Sequence, residues 1–232
     1  MKYREASDIK KSSGEIRSYY REKHSWGIRE GTVRRWMERL PKDADIVELG
    51  AGSGRFAAEL VEGGFRNLHL VDIDNYLECD LGPALRSFHA LDICFEPLPF
   101  ADESLDCALA LQIFEHLENV WHPLREVHRV LKPGGMFVMT VPHIFGVRSK
   151  FQFALSGDVE GYRETNDHIA VLPRAVFRKL IREKFEIFET GYQRPFLRLP
   201  FVGRKLRLPR TPWFGRHFSP KVGYVMKKIS AA

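Results

Sequence analysis

From Asp45 to Phe56 the chain reads Asp-Ile-Val-Glu-Leu-Gly-Ala-Gly-Ser-Gly-Arg-Phe. An apolar run passes directly into the alternating glycines Gly50, Gly52 and Gly54, and a helical pattern starts at once. Glycine lets a backbone turn sharply and lets a ligand approach it closely. The first turn of the following helix leaves amide groups unpaired and facing that ligand. This order of strand, glycine turn and helix predicts an α/β domain with a nucleotide-type site at the turn.

The rest of the chain keeps the same rhythm. Strands are expected at Ile46–Leu49, Asn67–Ile73, Phe88–Leu91, Leu105–Leu111 and Met136–Val141, with two more at Phe185–Gly191 and Val222–Ile229. Between them, Arg55–Glu62, Val120–Leu131 and Pro173–Lys184 carry apolar residues at helical spacing. Gly63-Gly64 stops the first of these helices, and Lys132-Pro133-Gly134-Gly135 is expected to end the second. Leu105–Leu111 is apolar enough for burial on both faces. Strands alternating with helices imply a mostly parallel sheet covered on both sides.

Two connections break the rhythm, residues 143–172 and 194–220. Long connections in a compact α/β domain are uncommon unless functional. Ligands in open α/β sheets bind outside the carboxyl ends of the strands, and 143–172 leaves such an end, so it reads as a substrate lid. Residues 1–42 read as an N-terminal helical cap, helical around Ser7–Arg21 and Thr32–Leu40, ahead of a domain over 43–232.

Charge is unevenly spread. Residues 43–193 carry 14 Lys/Arg against 24 Asp/Glu, whereas 194–232 carry 10 Lys/Arg and no acid. An acidic centre suits a cationic or hydroxylated ligand, and basic ends suit anionic partners. Within 194–220, seven Lys/Arg are interleaved with Phe196, Phe201, Trp213, Phe214 and Phe218. That mixture fits an anionic membrane surface or single-stranded nucleic acid. Pro195, Pro200, Pro209, Pro212 and Pro220 argue against one continuous amphipathic helix there. Cys79, Cys94 and Cys107 show no disulfide, metal or redox spacing and read as reduced cysteines of a cytoplasmic protein. No secretory signal or membrane-span pattern is evident.

The glycine run departs from the dinucleotide fingerprint. That pattern needs Gly or Ala where this chain has Arg55, and the third glycine falls one residue early, at Gly54. An acid still closes the second strand, as Asp72, and Asp92 follows the third. The runs VELGAGSGRF, VDID, ALDICFEPLPFADESLDCALALQIFEHL and LREVHRVLKPGGMFVMTVP together resemble a class I S-adenosylmethionine-dependent methyltransferase, of the group that includes quinone-biosynthesis and saccharide-pathway enzymes. The later run DHIAVLPRAVFRKLIREKFEIFETGY resembles the same group. The resemblance implies a Rossmann-like seven-stranded sheet, mostly parallel, with an antiparallel last strand inserted beside the fifth.

It also implies S-adenosyl-L-methionine as cofactor and assigns its contacts. Glu48, Gly50, Ala51 and Gly52 would surround the methionine part, and Asp72 would hold the ribose with Ile73 beside it. Asp92 and Ile93 would meet the adenine, and Leu111 and Gln112 would border the sulfonium end. Glu115-His116 reads as the opening of the helix after the fourth strand.

A hydroxyl acceptor must lose a proton, for which histidine is the best-tuned side chain. His143, right after the fifth strand, and His168, near the end of the lid, are the candidate bases. No metal-ligating spacing stands out, so no metal is expected. The Asn/Asp-Pro-Pro-Tyr/Phe motif of adenine N-methylation and a Pro-Cys nucleophile are both absent. The expected activity is methyl transfer to a small-molecule acceptor, at an oxygen of a saccharide or of a lipid-linked or phosphorylated intermediate. Peripheral contact with an anionic membrane would accompany it. RNA methylation through the basic ends, and a non-catalytic binding module, are the alternatives.

Overall fold

The computed structural model describes residues 32–198 and 205–229. The first part of the expected cap, including Ser7–Arg21, lies outside the described residues, as do Pro200, Phe201 and Arg204. A short helix α1 (Arg34–Met37) leads into β1 (Asp45–Leu49), α2 (Arg55–Glu62), β2 (Asn67–Asp72), β3 (Leu85–Ala90) and β4 (Leu105–Leu111). After these come α3 (Trp121–Val130), β5 (Leu131–Pro142), α4 (Val147–Ser156), α5 (Arg174–Ile181) and β6 (Phe185–Tyr192). A hairpin of β7 (Phe196–Arg198) and β8 (Lys205–Arg207), helix α6 (Pro212–Phe218) and β9 (Lys221–Lys228) complete the chain.

Seven strands form one sheet in the order β3-β2-β1-β4-β5-β9-β6. The β1–β5 ladders are parallel, and β9 runs antiparallel between β5 and β6. This is the Rossmann-like methyltransferase arrangement expected above, with the antiparallel strand beside the fifth. Both faces of the sheet are buried. Val47, Leu49, Ala108 and Phe137 belong to one apolar cluster, and Ile46, Leu68, Leu109 and Val138 to the other. The period of two along each strand sends alternate residues to opposite faces. In α2, Phe56, Ala57 and Leu60 turn one stripe toward the sheet.

Several boundaries differ from the sequence reading. Lys132-Pro133-Gly134-Gly135 does not simply stop α3: the run lies within β5 as a bulge. Leu105 pairs with Leu131 while Cys107 pairs with Met136, so the extra residues loop out and the ladder resumes. Helix α3 starts later than expected, where the Asn119 side chain accepts bonds from the Trp121 and His122 amides. The 194–220 connection is a hairpin followed by a short helix that packs on β6 and α4. Thr32–Leu40 yields only the single α-turn of α1, and that turn is part of the core: Val33, Trp36 and Met37 are buried in the sheet's second cluster.

The 97–103 loop, which carries the PLPF run, is fastened by one guanidinium. Arg129 donates to the carbonyls of Leu98 and Phe100 and to Asp102 and Glu126, while Glu126 accepts from the Leu98 amide. A planar five-donor group can satisfy several acceptors at fixed angles at once.

Candidate active site

The residues assigned to the cofactor share one edge of the sheet. Glu48 to Gly52 leave β1, Asp72 and Ile73 leave β2, Asp92 and Ile93 follow β3, and Leu111 and Gln112 leave β4. These strands are neighbours in the order β3-β2-β1-β4, so all four carboxyl ends abut. The glycine turn adopts backbone that side chains resist. Gly50, Gly52 and Gly54 have φ of 68°, 55° and 76°. A Cβ on Gly50 would stand 2.7 Å from Ile113 Cδ1. The Gly50 and Ala51 amides donate to the Val71 carbonyl, pinning the turn to β2.

Asp72 closes that turn. Its Oδ2 accepts from the Gly52 amide at 2.7 Å and its Oδ1 from the Ile73 amide at 2.7 Å. A carboxylate offers about four lone-pair sites, so each oxygen keeps one for a further donor such as a ribose hydroxyl. Burial pushes the Asp72 carboxyl up to about 6, against the downward pull of the two amides. Asp92 is set in a turn by its own groups: Oδ1 accepts from the Cys94 amide, and its amide donates to Glu96. Glu48 is buried at the end of β1 and Ile93 is buried beside the turn after β3. Gln112 holds a left-handed backbone at φ 61°, rare for a side-chain-bearing residue. Its amide donates to the Thr140 carbonyl, which steadies that conformation. Strained backbone held in place by its surroundings collects at ligand sites.

These residues fit S-adenosylmethionine on what the structure shows. The turn has no side chain at its closest points, an acid with spare acceptor capacity ends β2, and a second acid follows β3.

A titration follows from Asp72. The ionised carboxylate is the form that accepts from two hydroxyls, so affinity for S-adenosylhomocysteine is expected to weaken as pH falls through about 6. The slope should approach about tenfold per pH unit. Calorimetry across pH checks this, and Asp72→Asn should flatten the profile. The sign is opposite for the unliganded fold. A carboxyl raised above its unfolded value of 3.8 binds its proton more tightly when folded, so this group adds stability as pH falls from about 6 toward 3.8.

The carboxyl edge of the sheet continues past β4 to β5. A narrow crevice there is lined by Glu115, Pro142, Phe145, Tyr162, Leu172 and Tyr224. Glu115-His116 does not open helix α3, contrary to the sequence reading. The pair forms a separate 3₁₀ turn (Phe114–His116) in which Glu115 is buried. The amides of Ile169 and Ala170 donate to the Glu115 carbonyl at 2.8 and 3.0 Å, fastening the end of the lid to this turn. Tyr162 donates its hydroxyl hydrogen to the Ala170 carbonyl. His168 is thereby set edge-on to His116, with ring centroids 4.7 Å apart. Burial pushes the Glu115 carboxyl up to about 7. Burial works against the charge on His116, but Asp167 and Glu115 outweigh it and raise its pKa. The hydrogen bond with His116 holds Asp167 down to about 2.

The two candidate bases are placed differently. His168 joins Glu115 and His116, a pair whose sequence context favours helix opening over a catalytic role. His143 is buried, and its Nδ1 stands 3.0 Å from the Ser219 carbonyl as a donor. Its ring packs against Phe145 and Tyr192. It ties the end of β5 to the junction of α6 and β9. Burial lowers the pKa of both histidines. The sequence reading expected no cluster of metal-ligating type, because Glu115-His116 and His168 are far apart in the chain. The returning lid closes that distance. The one sequence signal for it was the Asp167-His168-Ile169 run.

Among the described residues no helix is long and apolar enough to cross a membrane. Residues 47–139 match a family model described as a methyltransferase domain. An uncharacterized methyltransferase of Mycobacterium leprae (strain Br4923) is 29% identical over 126 residues, covering 53% of this chain and 46% of that protein. Dimethylglycine N-methyltransferase of Parasynechococcus marenigrum is 33% identical over 109 residues, covering 44% and 39% respectively. The chain thus matches less than half the length of these curated relatives. Among solved structures, Burkholderia thailandensis 1,6-didemethyltoxoflavin-N1-methyltransferase, with its substrate and S-adenosylhomocysteine bound, superposes with a TM-score of 0.62. It shows 17% identity and covers 97% of this chain and 87% of its own. Over residues 47–139 the matched motifs, together with the strand order and the glycine turn at the carboxyl edge, are those of a class I S-adenosylmethionine-dependent methyltransferase domain.

Proposed function

We propose that the chain transfers a methyl group from S-adenosylmethionine to an oxygen of a small-molecule acceptor bound in the crevice beyond β4 and β5. The cofactor supplies an electrophilic methyl on sulfonium. The chain's own residues orient it along the strand ends, hold the acceptor in line and exclude water. Positioning of this kind is worth on the order of 7–11 kcal/mol in well-oriented systems.

One observation carries the choice of oxygen. An amine acceptor can attack as its free base, whereas a hydroxyl must give up a proton. Glu115, which lines the crevice, and His116 and His168 beside it are groups suited to that task. The relatives named for N-methylation therefore do not set the acceptor here.

A lipid-linked or phosphorylated acceptor is supported by the neighbouring surface. Helices α4 and α6 pack together and leave Phe151, Phe153, Leu155 and Trp213 exposed, on elements that also carry Arg148, Lys150 and Arg216. Apolar groups set among basic ones suit an anionic interface.

Incubation with methyl-labelled S-adenosylmethionine and a panel of saccharides, lipid-linked sugars and RNA tests this reading. Label on a small-molecule hydroxyl is expected. Label on RNA with a steep salt dependence would overturn it, and so would cofactor binding with no transfer to any acceptor.

A further inference from the structure

The cluster at Glu115 has a composition that proton transfer alone does not require. Glu115, His116 and His168 each offer one ligand atom, and these atoms all lie within 4.8 Å of one another. A divalent ion bound at about 2.0–2.2 Å needs such atoms roughly 3–4 Å apart. The present spread is somewhat wider, so a bound ion would draw the three side chains together.

A second observation points independently to a ligand. Glu115 is only 1% exposed, and its Oε2 has no hydrogen-bond partner among the described residues. His168 Nδ1 is likewise buried without one. Buried polar atoms are ordinarily paired, and each left unpaired costs about 1–3 kcal/mol. The protein keeps this arrangement under tension: the backbone of Glu115 is bonded to the lid while its carboxyl is left over. Asp167 Oδ1 stands 3.3 Å from His116 Nδ1. A carboxylate behind an imidazole is the usual way a ligating histidine is oriented and made more basic.

We propose that Glu115, His116 and His168 bind a divalent first-row transition ion, with Asp167 orienting His116. Two imidazoles and one carboxylate suit such ions better than magnesium, and they leave coordination positions open. This proposal rests on the methyltransferase reading and refines it: with the ion bound, the three side chains act as its ligands rather than as direct proton acceptors. Glu115 also lines the crevice, so an acceptor hydroxyl bound there would come within reach of an open position. Coordination lowers the pKa of that hydroxyl, and its proton leaves to water. The oxygen then forms the new bond to the methyl carbon, the carbon–sulfur bond breaks, and its electron pair stays on sulfur. Because the lid supplies His168 and the β4 end supplies Glu115 and His116, the ion would also hold the lid against the sheet.

The test is calorimetric titration of the metal-stripped chain with cobalt(II) and zinc(II) chloride, together with the visible absorption of the cobalt form. S-adenosylhomocysteine binding is measured on the same samples. One equivalent of metal is expected to bind, and His168→Gln and Glu115→Gln should each weaken it by at least about tenfold. S-adenosylhomocysteine binding should persist in both variants. His168 is only half-buried and lies on a connection, so its variant is expected to fold even if burial makes Glu115→Gln fail. Metal binding that is absent, or equal in wild type and His168→Gln, would overturn the site. Loss of S-adenosylhomocysteine binding in the wild-type chain would instead overturn the underlying methyltransferase reading.

Discussion

Gly50→Val is expected to weaken S-adenosylhomocysteine binding by at least about tenfold, measured by calorimetry, while the sheet still forms. Gly50 sits at φ 68°, where a side chain costs about 1–2 kcal/mol and a β-branched one more. Its new Cβ would stand 2.7 Å from Ile113 Cδ1 and 3.1 Å from Ile113 Cβ, so neither rotation of Ile113 nor the turn itself relieves the contact cheaply. The variant turn relaxes into another shape, and each binding event must restore the original one. At about 1.4 kcal/mol per tenfold, that cost appears directly as lost affinity. Ile113 also begins the turn that carries Glu115 and His116, so methyl transfer should fall further than binding does. Unchanged affinity in Gly50→Val would remove the glycine turn from the cofactor site.

The largest stability loss is expected at Trp36. Its indole is fully buried, with the outer edge of its six-membered ring against a glycine pair, Gly191 of β6 and Gly223 of β9, which are register partners. A Cβ on Gly191 would stand 2.7 Å from Trp36 Cζ2, and one on Gly223 3.2 Å from Cη2. The two glycines make the platform that the ring fills. Truncation to alanine leaves a cavity against stiff strands that cannot collapse into it. Trp36→Ala should therefore cost about 3–5 kcal/mol. In urea the midpoint should fall with an unchanged slope. A loss under about 1 kcal/mol would mean that α1 is a peripheral cap rather than core.

That result bears on what the sequence could and could not reveal. The parallel strands were legible because burial on both faces writes a continuous apolar run, as in Leu105–Leu111. The glycine turn was legible because only glycine fits its three positive φ values. Trp36 was not, because one α-turn of four residues is too short to show a period. Its role depends on Gly191 and Gly223, which pair only once β9 is inserted beside β6. The Lys132–Gly135 run was read as a helix stop from local turn chemistry; its pairing across Leu105 and Cys107 is tertiary. Glu115-His116 was read as a helix start for the same reason. Nothing local reveals that Ile169 and Ala170 return to its carbonyl and bring His168 with them. The glycine turn and its acids sit on contiguous strand ends, whereas the Glu115 cluster depends on the long-range return of the chain at Ile169 and Ala170.

The most direct test of the account is calorimetric titration of S-adenosylhomocysteine into the wild-type and Asp72→Ala chains at neutral pH. Saturable one-to-one binding to the wild type is expected. Two charge-assisted hydrogen bonds to ribose, at about 1.5–3 kcal/mol each, predict a loss of roughly a hundredfold or more in Asp72→Ala. No binding to the folded wild-type chain, or equal affinity in the two chains, would contradict it.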